Sequence, residues 1–437
     1  MQIQQLTNPA GTVALAALPP LSLYVHIPWC VRKCPYCDFN SHELKPPHPR
    51  ARPLEGNSKS APPTAVRELP GIEPELERQY LSALIADLET ALPQVWGRPV
   101  HTVFFGGGTP SLLSAHALDE LLSAIRARLP LAPDAEITLE ANPGTFEAQK
   151  FADFRAAGVN RLSIGIQSFD PAHLKALGRI HDGAQARAAI EIAQASFDNF
   201  NLDLMYALPV QTVEQALADI DTAIGFGPQH ISAYHLTIEP NTYFYRHPPQ
   251  VPDQDVAADM QEAIEARLAS AGYRHYETSA FARPGREARH NLNYWTFGDY
   301  LGIGAGAHSK LSFADRILRQ MRVKHPRDYL EKTAAGVPVQ QEQRLAAEEL
   351  PFEFMMNALR LIDGVELRLF AERTGVPVHA LRKPLDAAER SGLIERDHVR
   401  VRPTLRGQRF LNDLLQMFLT THPPHPDPLP SGGRRGK

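Results

Sequence analysis

Three cysteines lie close together near the start of the chain, and the sequence holds no others. Cys30, Cys34 and Cys37 follow the spacing C-x3-C-x2-C within the segment CVRKCPYC. Thiolates bind soft metals and iron–sulfur clusters, and three of them on a four-iron cluster leave one iron open to another ligand. A structural zinc ion would need a fourth ligand, for which His42 is the nearest candidate. A redox thiol pair would leave one cysteine unused, so the spacing favours the cluster.

A glycine-rich segment, GGGTPS over residues 106–111, follows the second run of strand-forming residues. Glycines such as Gly107 and Gly108 let the backbone approach a ligand without a clash from Cβ. A simple tight turn would have the same composition. Because this segment and the cysteines both follow predicted strands, we expect the glycines and Thr109 to face the cysteine loop.

Several polar residues also stand at or beyond the ends of predicted strands. Glu140, Gln167 and Asp203 occupy such positions, and Arg179 follows shortly after one of them. A carboxylate at a strand end can bind a ribose hydroxyl or an ammonium group. The alternative is an acid that caps a helix or faces solvent.

The segment HNLNYW, residues 290–295, places a histidine beside two aromatic residues. Histidine is a common axial ligand of haem iron, and flat aromatic rings favour a macrocycle. From composition alone, a buried core or interface residue is the favoured interpretation of His290. The nearby GIGAGAH sequence lacks the helix and acid of a dinucleotide-binding loop, and it predicts a glycine-rich turn.

The elements that would position these residues alternate between strands and helices. The predicted strands are Leu21–Pro28, Val100–Gly106, Ile137–Asn142, Arg161–Ser168, Asn201–Leu208 and His230–Ile238. The predicted helices are Glu75–Leu92, Leu113–Leu129, Phe146–Ala157, Ala184–Ala195, Val213–Ile224 and Val256–Ala271. Such alternation predicts an α/β fold with parallel strands, either a partial barrel or a doubly wound sheet. Ligands of these folds bind at the carboxyl ends of the strands.

Composition divides the chain into segments. Residues 46–74 hold 8 of the 38 prolines and predict a flexible insertion. After residue 345 three helical runs, a short alternating stretch and a last helix predict a mostly helical, winged-helix-like domain. The expected division is a flexible N-terminus (1–20), a barrel with its Pro-rich insertion (21–245), a connecting region with the HNxxYW segment (246–345), the winged-helix-like domain (346–420) and a disordered tail (421–437).

Charge and hydropathy exclude some classes of partner. The net charge is −4, and residues 345–420 contain equal numbers of basic and acidic side chains. A DNA-binding module is expected to be basic, so a metal-dependent regulator that reads DNA is disfavoured and we expect no nucleic-acid partner. We find no apolar run of roughly 20 residues, as a membrane span requires, and no signal-peptide pattern. We therefore expect a cytoplasmic protein.

Taken together, these motifs resemble the radical S-adenosylmethionine superfamily. Within it the chain is most similar to the coproporphyrinogen-oxidase-like branch and to its HemW family of haem chaperones, over about residues 21–420. The segments that carry the resemblance are YVHIPWC, CPYCDFNSH, FGGGTPSLL, EANPG, GVNRLSIGIQSFD, LGRIH, NLDLM, LTIEPNT, HNLNYW and GIGAGAHS. The resemblance implies a partial (β/α)6 barrel with a [4Fe-4S] cluster at its mouth.

The resemblance also implies roles for single residues. S-adenosylmethionine would chelate the open iron, held by Tyr24, Gly107 and Glu140, with Tyr36 packed between the cysteines. A second adenosylmethionine position in the oxidase relatives matches Gly108, Thr109, Gln167, Arg179 and Asp203. In the chaperone family the HNxxYW segment is implicated in haem binding, which makes His290 the expected haem ligand.

Two departures separate this sequence from the oxidases of the same branch. The oxidases carry another cysteine two residues after the third, where this chain has Phe39, and they have a longer N-terminal extension. The resemblance therefore implies a haem chaperone that delivers haem to haem-requiring proteins, which we expect to be respiratory. The alternative is an oxygen-independent coproporphyrinogen III oxidase. A homodimer and transient association with a membrane both stay open.

Overall fold

The computed structural model of the protein describes residues 13–44, 71–145 and 148–419. Most of the predicted insertion, the first part of the N-terminus and the predicted tail at 421–437 lie outside the described residues. Residues 71–74 were expected to belong to the insertion. They instead lead into the first helix, and Ile72 is buried in the main core.

One large sheet, with 12 strands in the described part of the chain, organises the molecule. Its strands are β1 Leu21–Ile27, β2 Val100–Gly107, β3 Leu131–Ala141, β4 Arg161–Gln167, β5 Phe200–Tyr206, β6 His230–His235, β7 Arg274–Glu277, β8 Ala280–Ala282, β9 Asp299–Ile303, β10 His308–Phe313, β11 Arg316–Arg322 and β12 Val339–Arg344. Their order across the sheet is β12-β11-β10-β9-β1-β2-β3-β4-β5-β6-β8-β7.

The central strands β9 and β1 to β6 are parallel, and the strands at both edges are antiparallel. The predicted strands correspond to β1 to β6, so the α/β fold with a partial barrel is confirmed. β9 adds a seventh parallel strand beside β1, which the sequence did not predict. Because β12 and β7 are separate edges, the sheet does not close on itself.

The helices connect these strands and cover the sheet. Those of the barrel region are α1 Pro74–Val95, α2 Ala115–Arg128, α3 Ala148–Ala157, α4 Pro171–Ala176, α5 Gly183–Ser196, α6 Val213–Gly225, α7 Tyr243–Arg246, α8 Gln254–Ser270, α9 Arg289–Trp295 and α10 Pro326–Ala334. Several begin at well-formed caps. Asp182 with Gln185 and Thr212 with Gln215 form capping boxes at the starts of α5 and α6, which satisfy backbone donors there.

Apolar residues at intervals of four give α1 one buried face. Leu84 and Leu88 on this face are almost completely buried in the main core. Helix α1 also contacts α2 and α10. Burial of this face removes apolar surface from water, which stabilises the helix against the sheet far more than its own propensity does.

The C-terminal module has the predicted succession of helices and a hairpin. Its elements are α11 Leu350–Ala358, β13 Val365–Glu366, α12 Leu367–Thr374, a 3-10 turn Val378–Leu381, α13 Arg382–Arg390, β14 Ile394–Arg396, β15 Arg400–Pro403, α14 Leu405–Arg409 and α15 Leu411–Gln416. β13, β15 and β14 form a small antiparallel sheet. The mostly helical module with a β-wing agrees with the predicted architecture.

A second hydrophobic core lies inside this module and includes residues from outside it. Phe297 and Ile317 of the connecting region belong to this core, and so do Val13 and Leu15. The burial of Val13 and Leu15 does not agree with the expectation of a flexible segment over residues 1–20. Valine and leucine at these positions bury apolar surface that a flexible segment would leave in water.

Candidate functional site

A cavity of about 520 Å³ opens at the carboxyl ends of the parallel strands. Eleven of the thirteen residues predicted for the site line it: Cys30, Cys34, Cys37, Tyr36, Gly107, Gly108, Thr109, Glu140, Gln167, Arg179 and Asp203. They come from five different strands and the loops that follow them. The sheet therefore brings together residues that are as much as 173 positions apart, from Cys30 to Asp203.

The three thiols lie on the loop after β1, at the mouth of this cavity. The Thr109 hydroxyl donates to Cys30 Sγ over 3.6 Å, and Arg179 Nη1 donates to Cys34 Sγ over 3.6 Å. Cys37 Sγ lies 3.7 Å from Ser41 Oγ. Hydrogen bonds of this kind stabilise thiolates. The loop therefore supplies three sulfur atoms with donors already directed at them.

Burial raises the pKa of Cys30 to about 11, and the hydrogen bond from Thr109 opposes this rise. Burial likewise raises the pKa of Cys37. A bound metal centre reverses this balance, because it stabilises the thiolate directly. The cysteines are thus suited to a positively charged inorganic partner rather than to free thiolates in this cavity.

Three thiols on one loop can bind a cluster or, with a further ligand, a single ion. Within the described ranges, no three or more His, Cys, Asp or Glu side chains converge closely enough to bind one metal ion. In a [4Fe-4S] cluster each cysteine binds a different iron, so the thiols surround the cluster without meeting at one point.

The glycine segment forms one wall of the cavity. The Gly107 backbone N–H donates to Glu140 Oε2 over 3.1 Å, and Gly107 has φ +116°. A Cβ at Gly107 would lie 2.6 Å from the His26 ring, and one at Gly108 would lie 2.4 Å from the Trp29 carbonyl oxygen. Glycine is therefore required because β1 and the cysteine loop pack directly against this segment.

Tyr24 lies outside the first cavity and lines a second one of about 620 Å³. Its hydroxyl donates to His26 Nδ1 over 3.0 Å, and His26 Nε2–H donates to the Asn40 carbonyl over 2.9 Å. Burial lowers the pKa of His26 to about 4, which keeps the ring neutral. Gly107 and Glu140 line both cavities, so Tyr24 is separated from the first cavity by that shared wall.

Two buried carboxyls face the interior of the site. Burial raises the pKa of Glu140 to about 8; Asp203 adds to the rise, and the Gly107 N–H opposes it. Burial also raises the pKa of Asp203, against hydrogen bonds from Ser163 at 2.9 Å and Asn201 at 2.8 Å. A cationic ligand would shift both groups toward the ionised form.

Arg179 connects the cysteine loop to the strand ends. Its Nη2 donates to Asn142 Oδ1 over 2.5 Å and to the Gly165 carbonyl over 2.6 Å. Gln167 ends β4 with φ +68°, a left-handed conformation that is uncommon for a residue other than glycine. Such strain concentrates at functional sites, which supports the predicted place of Gln167 in this one.

His290 lies deep in the molecule on α9, 2% exposed, and lines neither of the two cavities. Its ring stacks on Phe104 with centroids 4.9 Å apart. The Thr102 hydroxyl donates to Ser22 Oγ over 2.8 Å, so its oxygen accepts from His290 Nδ1–H over 2.7 Å. His290 Nε2 is left buried with no hydrogen-bond partner among the described residues.

Burial, with a contribution from Arg161, lowers the pKa of His290 to about 3. The imidazole is therefore neutral, and the lone pair of Nε2 points away from the hydrogen bond that holds the ring. A neutral imidazole with one free nitrogen is the form that ligates iron. The structure agrees with a buried core histidine and also with an unused ligand atom.

Sequence reasoning missed a set of polar residues inside the barrel. They line the same cavity and comprise Asn142, Arg161, Ser163, Asn201, His230 and Ser232. All six lie on or directly after strands, where polar residues interrupt apolar ones. These polar residues could have identified the cavity lining from the sequence, because parallel strands covered on both faces otherwise tend to be continuously apolar.

The C-terminal module presents paired rather than free basic side chains along its wing. Arg396 Nη2 lies 2.9 Å from Glu389 Oε2, and Arg402 Nη2 lies 2.7 Å from Glu395 Oε2. Neutralised arginines attract phosphate weakly. These ion pairs provide no support for a DNA-reading surface.

Comparison with known proteins agrees with this geometry. The model of the radical SAM superfamily matches residues 24–223, and that of the HemN C-terminal domain matches residues 345–410. The heme chaperone HemW of Escherichia coli (strain K12) is 47% identical over 93% of this chain and 100% of its own length. The heme chaperone HemW of Haemophilus influenzae is 44% identical over 92% of this chain and 99% of its own.

Among solved structures, coproporphyrinogen III oxidase (HemN) from Escherichia coli matches with a TM-score of 0.73. It covers 92% of this chain and 90% of its own, with 22% sequence identity. A likeness at this identity shows the fold alone. Over the described residues, no helix is both long and apolar enough to cross a membrane.

Proposed function

Because this chain belongs to the HemW family of the radical SAM superfamily, we propose that it is a haem chaperone. It binds haem, a [4Fe-4S] cluster and S-adenosylmethionine, and it delivers haem to haem-requiring proteins. The observation that carries the proposal is the 47% identity to a heme chaperone over that relative's whole length, with the three thiols grouped at a cavity mouth.

Cys30, Cys34 and Cys37 would hold the cluster, and adenosylmethionine would bind at the iron that no cysteine ligates. Glu140 and Gly107 form the wall beside this loop, and Tyr24 supports that wall through His26. The buried carboxyl of Glu140 is placed to receive a positively charged group. Its raised pKa means that binding such a group releases a proton near neutral pH.

Five further residues line the same cavity and would contact a second nucleotide or part of the haem. They are Gly108, Thr109, Gln167, Arg179 and Asp203. Thr109 and Arg179 also direct donors at two of the thiols. Thr109 and Arg179 would therefore hold the cysteine loop in place, whichever ligand occupies the rest of the cavity.

His290 is proposed as the haem ligand because its Nε2 is unpartnered while Nδ1 is held by Thr102. Phe104 stacks on the ring and Tyr294 lies 5.1 Å from it, centroid to centroid. Iron can reach Nε2 only if these side chains or helix α9 move. We therefore propose that haem binding includes an opening movement of α9.

The alternative, an oxygen-independent coproporphyrinogen III oxidase, has weaker support. The solved oxidase shares 22% identity with this chain, against 47% for the heme chaperone. The oxidases of the branch carry a further cysteine at the position of Phe39. Phe39 is 64% exposed and lines both cavities. A large apolar residue there suits a flat macrocycle better than it suits a metal.

We further propose that the protein works in the cytoplasm and that its acceptors are respiratory haem proteins. A homodimer and transient contact with a membrane would suit such delivery. Size-exclusion chromatography with light scattering, with and without haem, tests the first, and sedimentation with lipid vesicles tests the second.

The test of the proposed function is an anaerobic haem titration of the protein reconstituted with iron and sulfide. We expect about one cluster per chain, lost in Cys30→Ser, and a Soret band that saturates with haem. In His290→Ala we expect a weaker or displaced Soret band, because the axial ligand is lost. His116→Ala, an exposed histidine on α2, is the matched control.

Three results would contradict the proposal at different points. Wild-type protein that holds no cluster or no haem would remove the chaperone function. An unchanged haem spectrum in His290→Ala would remove only the assignment of His290. Turnover of coproporphyrinogen III by the reconstituted protein would favour the oxidase.

A further inference from the structure

Arg161 is a buried cation whose side chain makes no hydrogen bond to any described residue, although its charge opposes the rise in the pKa of Asp203. It is the first residue of β4, its side chain lines the 520 Å³ cavity, and the residue is 2% exposed. The guanidinium forms no hydrogen bond or ion pair with any described residue, and its Nε is buried and unsatisfied. Burial of a charge without a partner is costly, so such groups are rare in proteins unless a ligand completes them.

The polar neighbours of Arg161 bond to one another instead of to it. His230 Nδ1–H donates to Asn201 Oδ1 over 2.7 Å, and the hydroxyl of Tyr276 donates to His230 Nε2 over 2.8 Å. The Asn201 amide then donates to Ser163 Oγ over 2.8 Å and to Asp203 Oδ1 over 2.8 Å. This network is complete without Arg161, which leaves the guanidinium available to whatever enters the cavity.

We propose that Arg161 is the binding site for a carboxylate of the bound ligand, at the inner end of the cavity. The planar guanidinium presents several N–H donors in a fork that matches a carboxylate, and its low exposure excludes competing water. Both proposed ligands carry this group, haem as propionates and adenosylmethionine as an amino-acid carboxylate. The inference rests on the proposed function for the identity of these ligands.

Haem is the source that the position favours. Arg161 is close enough to His290 for its charge to lower the pKa of that ring, and Asn291 of the same helix lines the same cavity. A propionate on Arg161 would hold the macrocycle beside α9. The amino-acid end of adenosylmethionine is instead expected at the open iron, at the mouth of the cavity.

The test compares ligands with and without a free carboxylate, in wild type and Arg161→Met. We expect wild type to bind haem roughly tenfold to a hundredfold more tightly than haem dimethyl ester, and Arg161→Met to lose this preference. A parallel arm compares adenosylmethionine with its decarboxylated analogue. If Arg161→Met loses only the preference for adenosylmethionine over its decarboxylated analogue, Arg161 still binds a carboxylate, and that carboxylate belongs to adenosylmethionine.

Lysine keeps the positive charge but lacks the planar set of N–H donors. The preference of Arg161→Lys for haem over haem dimethyl ester should therefore lie between that of wild type and that of Arg161→Met. Arg286→Met, an exposed arginine on the segment before α9, should bind as wild type does. If Arg161→Met and Arg161→Lys keep the wild-type preference in both arms, the inference is overturned. Wild-type protein that binds no haem at all would overturn the proposed function, while the adenosylmethionine arm would still test Arg161.

Thermal unfolding separates a ligand site from a structural counter-ion. Since the guanidinium makes no hydrogen bond within the described residues, ligand-free Arg161→Met is expected to melt at or above the wild-type temperature. Added haem should raise the melting temperature of wild type more than that of the variant. A large fall in the ligand-free melting temperature would make Arg161 a structural counter-ion for Asp203, and it would contradict the proposed role.

Discussion

At the scale of single residues, the site depends on backbone conformation and on buried charge. Gly107 adopts a left-handed φ while His26 packs where a Cβ would stand. Glu140, which accepts the N–H of the same glycine, is buried with a raised pKa. The two residues therefore form a wall whose shape and protonation are both sensitive to small changes.

Gly107→Ala should disrupt this wall. The added Cβ would meet the His26 ring at 2.6 Å in a backbone conformation that alanine disfavours. We expect a loss of about 1–3 kcal/mol in the free energy of unfolding and weaker adenosylmethionine binding. Chemical denaturation and equilibrium dialysis measure the two effects. Gly225→Ala, where no atom lies within 4 Å of the added Cβ, is the control; equal behaviour of the two variants would refute this prediction.

Glu140 should make the ligand-free protein less stable as pH rises. Its pKa rises from an ordinary value of 4.5 to about 8 in the folded protein, chiefly through burial. Between these two pH values the unfolded chain ionises this carboxyl while the folded chain keeps it protonated, so stability falls as pH increases. Asp203 acts in the same direction.

Melting temperatures between about pH 5 and about pH 8 should therefore fall less in Glu140→Gln than in wild type. Glu191→Gln, an exposed glutamate on α5, should retain the wild-type slope. Parallel curves for wild type and Glu140→Gln would show that this carboxyl does not titrate in that range.

At the scale of elements, buried ion pairs attach the outer strands to the barrel. Asp87 on α1 accepts from Arg322 Nε on β11 over 3.0 Å, from the Tyr329 hydroxyl on α10 over 2.9 Å and from the Gly304 N–H over 3.1 Å. Asp87 and Arg322 are almost fully buried. One side chain thus connects a helix, an antiparallel strand and the turn between β9 and β10.

Asp87→Ala should loosen all of these elements together. It leaves Arg322 buried without its carboxylate, so we expect a loss of about 3–5 kcal/mol in the free energy of unfolding, measured by urea denaturation. Glu89→Ala on the same helix removes an exposed pair with Arg128 and should cost less than about 1 kcal/mol. A small effect of Asp87→Ala would mean that water solvates Arg322 in its place.

At the scale of the whole molecule, the C-terminal module and the connecting region share one core. Phe354 of α11 lies between Phe297 of the connecting region and Phe370 of α12, with ring centroids 5.7 Å and 5.4 Å away. Arg409 of α14 also bonds Glu265 of α8 over 3.0 Å and 3.1 Å. The module is therefore packed against the rest of the fold.

Phe354→Ala should destabilise the whole chain by about 3–5 kcal/mol, because it opens a cavity in this shared core. Phe410→Ala, at a side chain that is 54% exposed, should have little effect. Differential scanning calorimetry measures both. If only a minor separate transition shifts in Phe354→Ala, the module unfolds independently of the barrel.

The local sequence determined much of this protein. The cysteine spacing, the strand–helix alternation and the polar residues at strand ends predicted an α/β fold with parallel strands and most of the eleven expected residues that line the cavity. Such predictions succeed because strands alternate with helices over short distances and because parallel strands share one carboxyl edge. The family resemblance chose the partial barrel, and it added Tyr36 and the expected roles of these residues.

Only the tertiary structure decided which side chains end without partners. It placed β9 beside β1, buried Val13 and Leu15 in the second core, and separated Tyr24 from the first cavity. Among the described residues, it also left Arg161 Nε and His290 Nε2 without a hydrogen-bond partner. Pairing between distant segments depends on shape and burial over the whole chain. A local residue pattern therefore does not show which polar groups will lack a hydrogen-bond partner after packing.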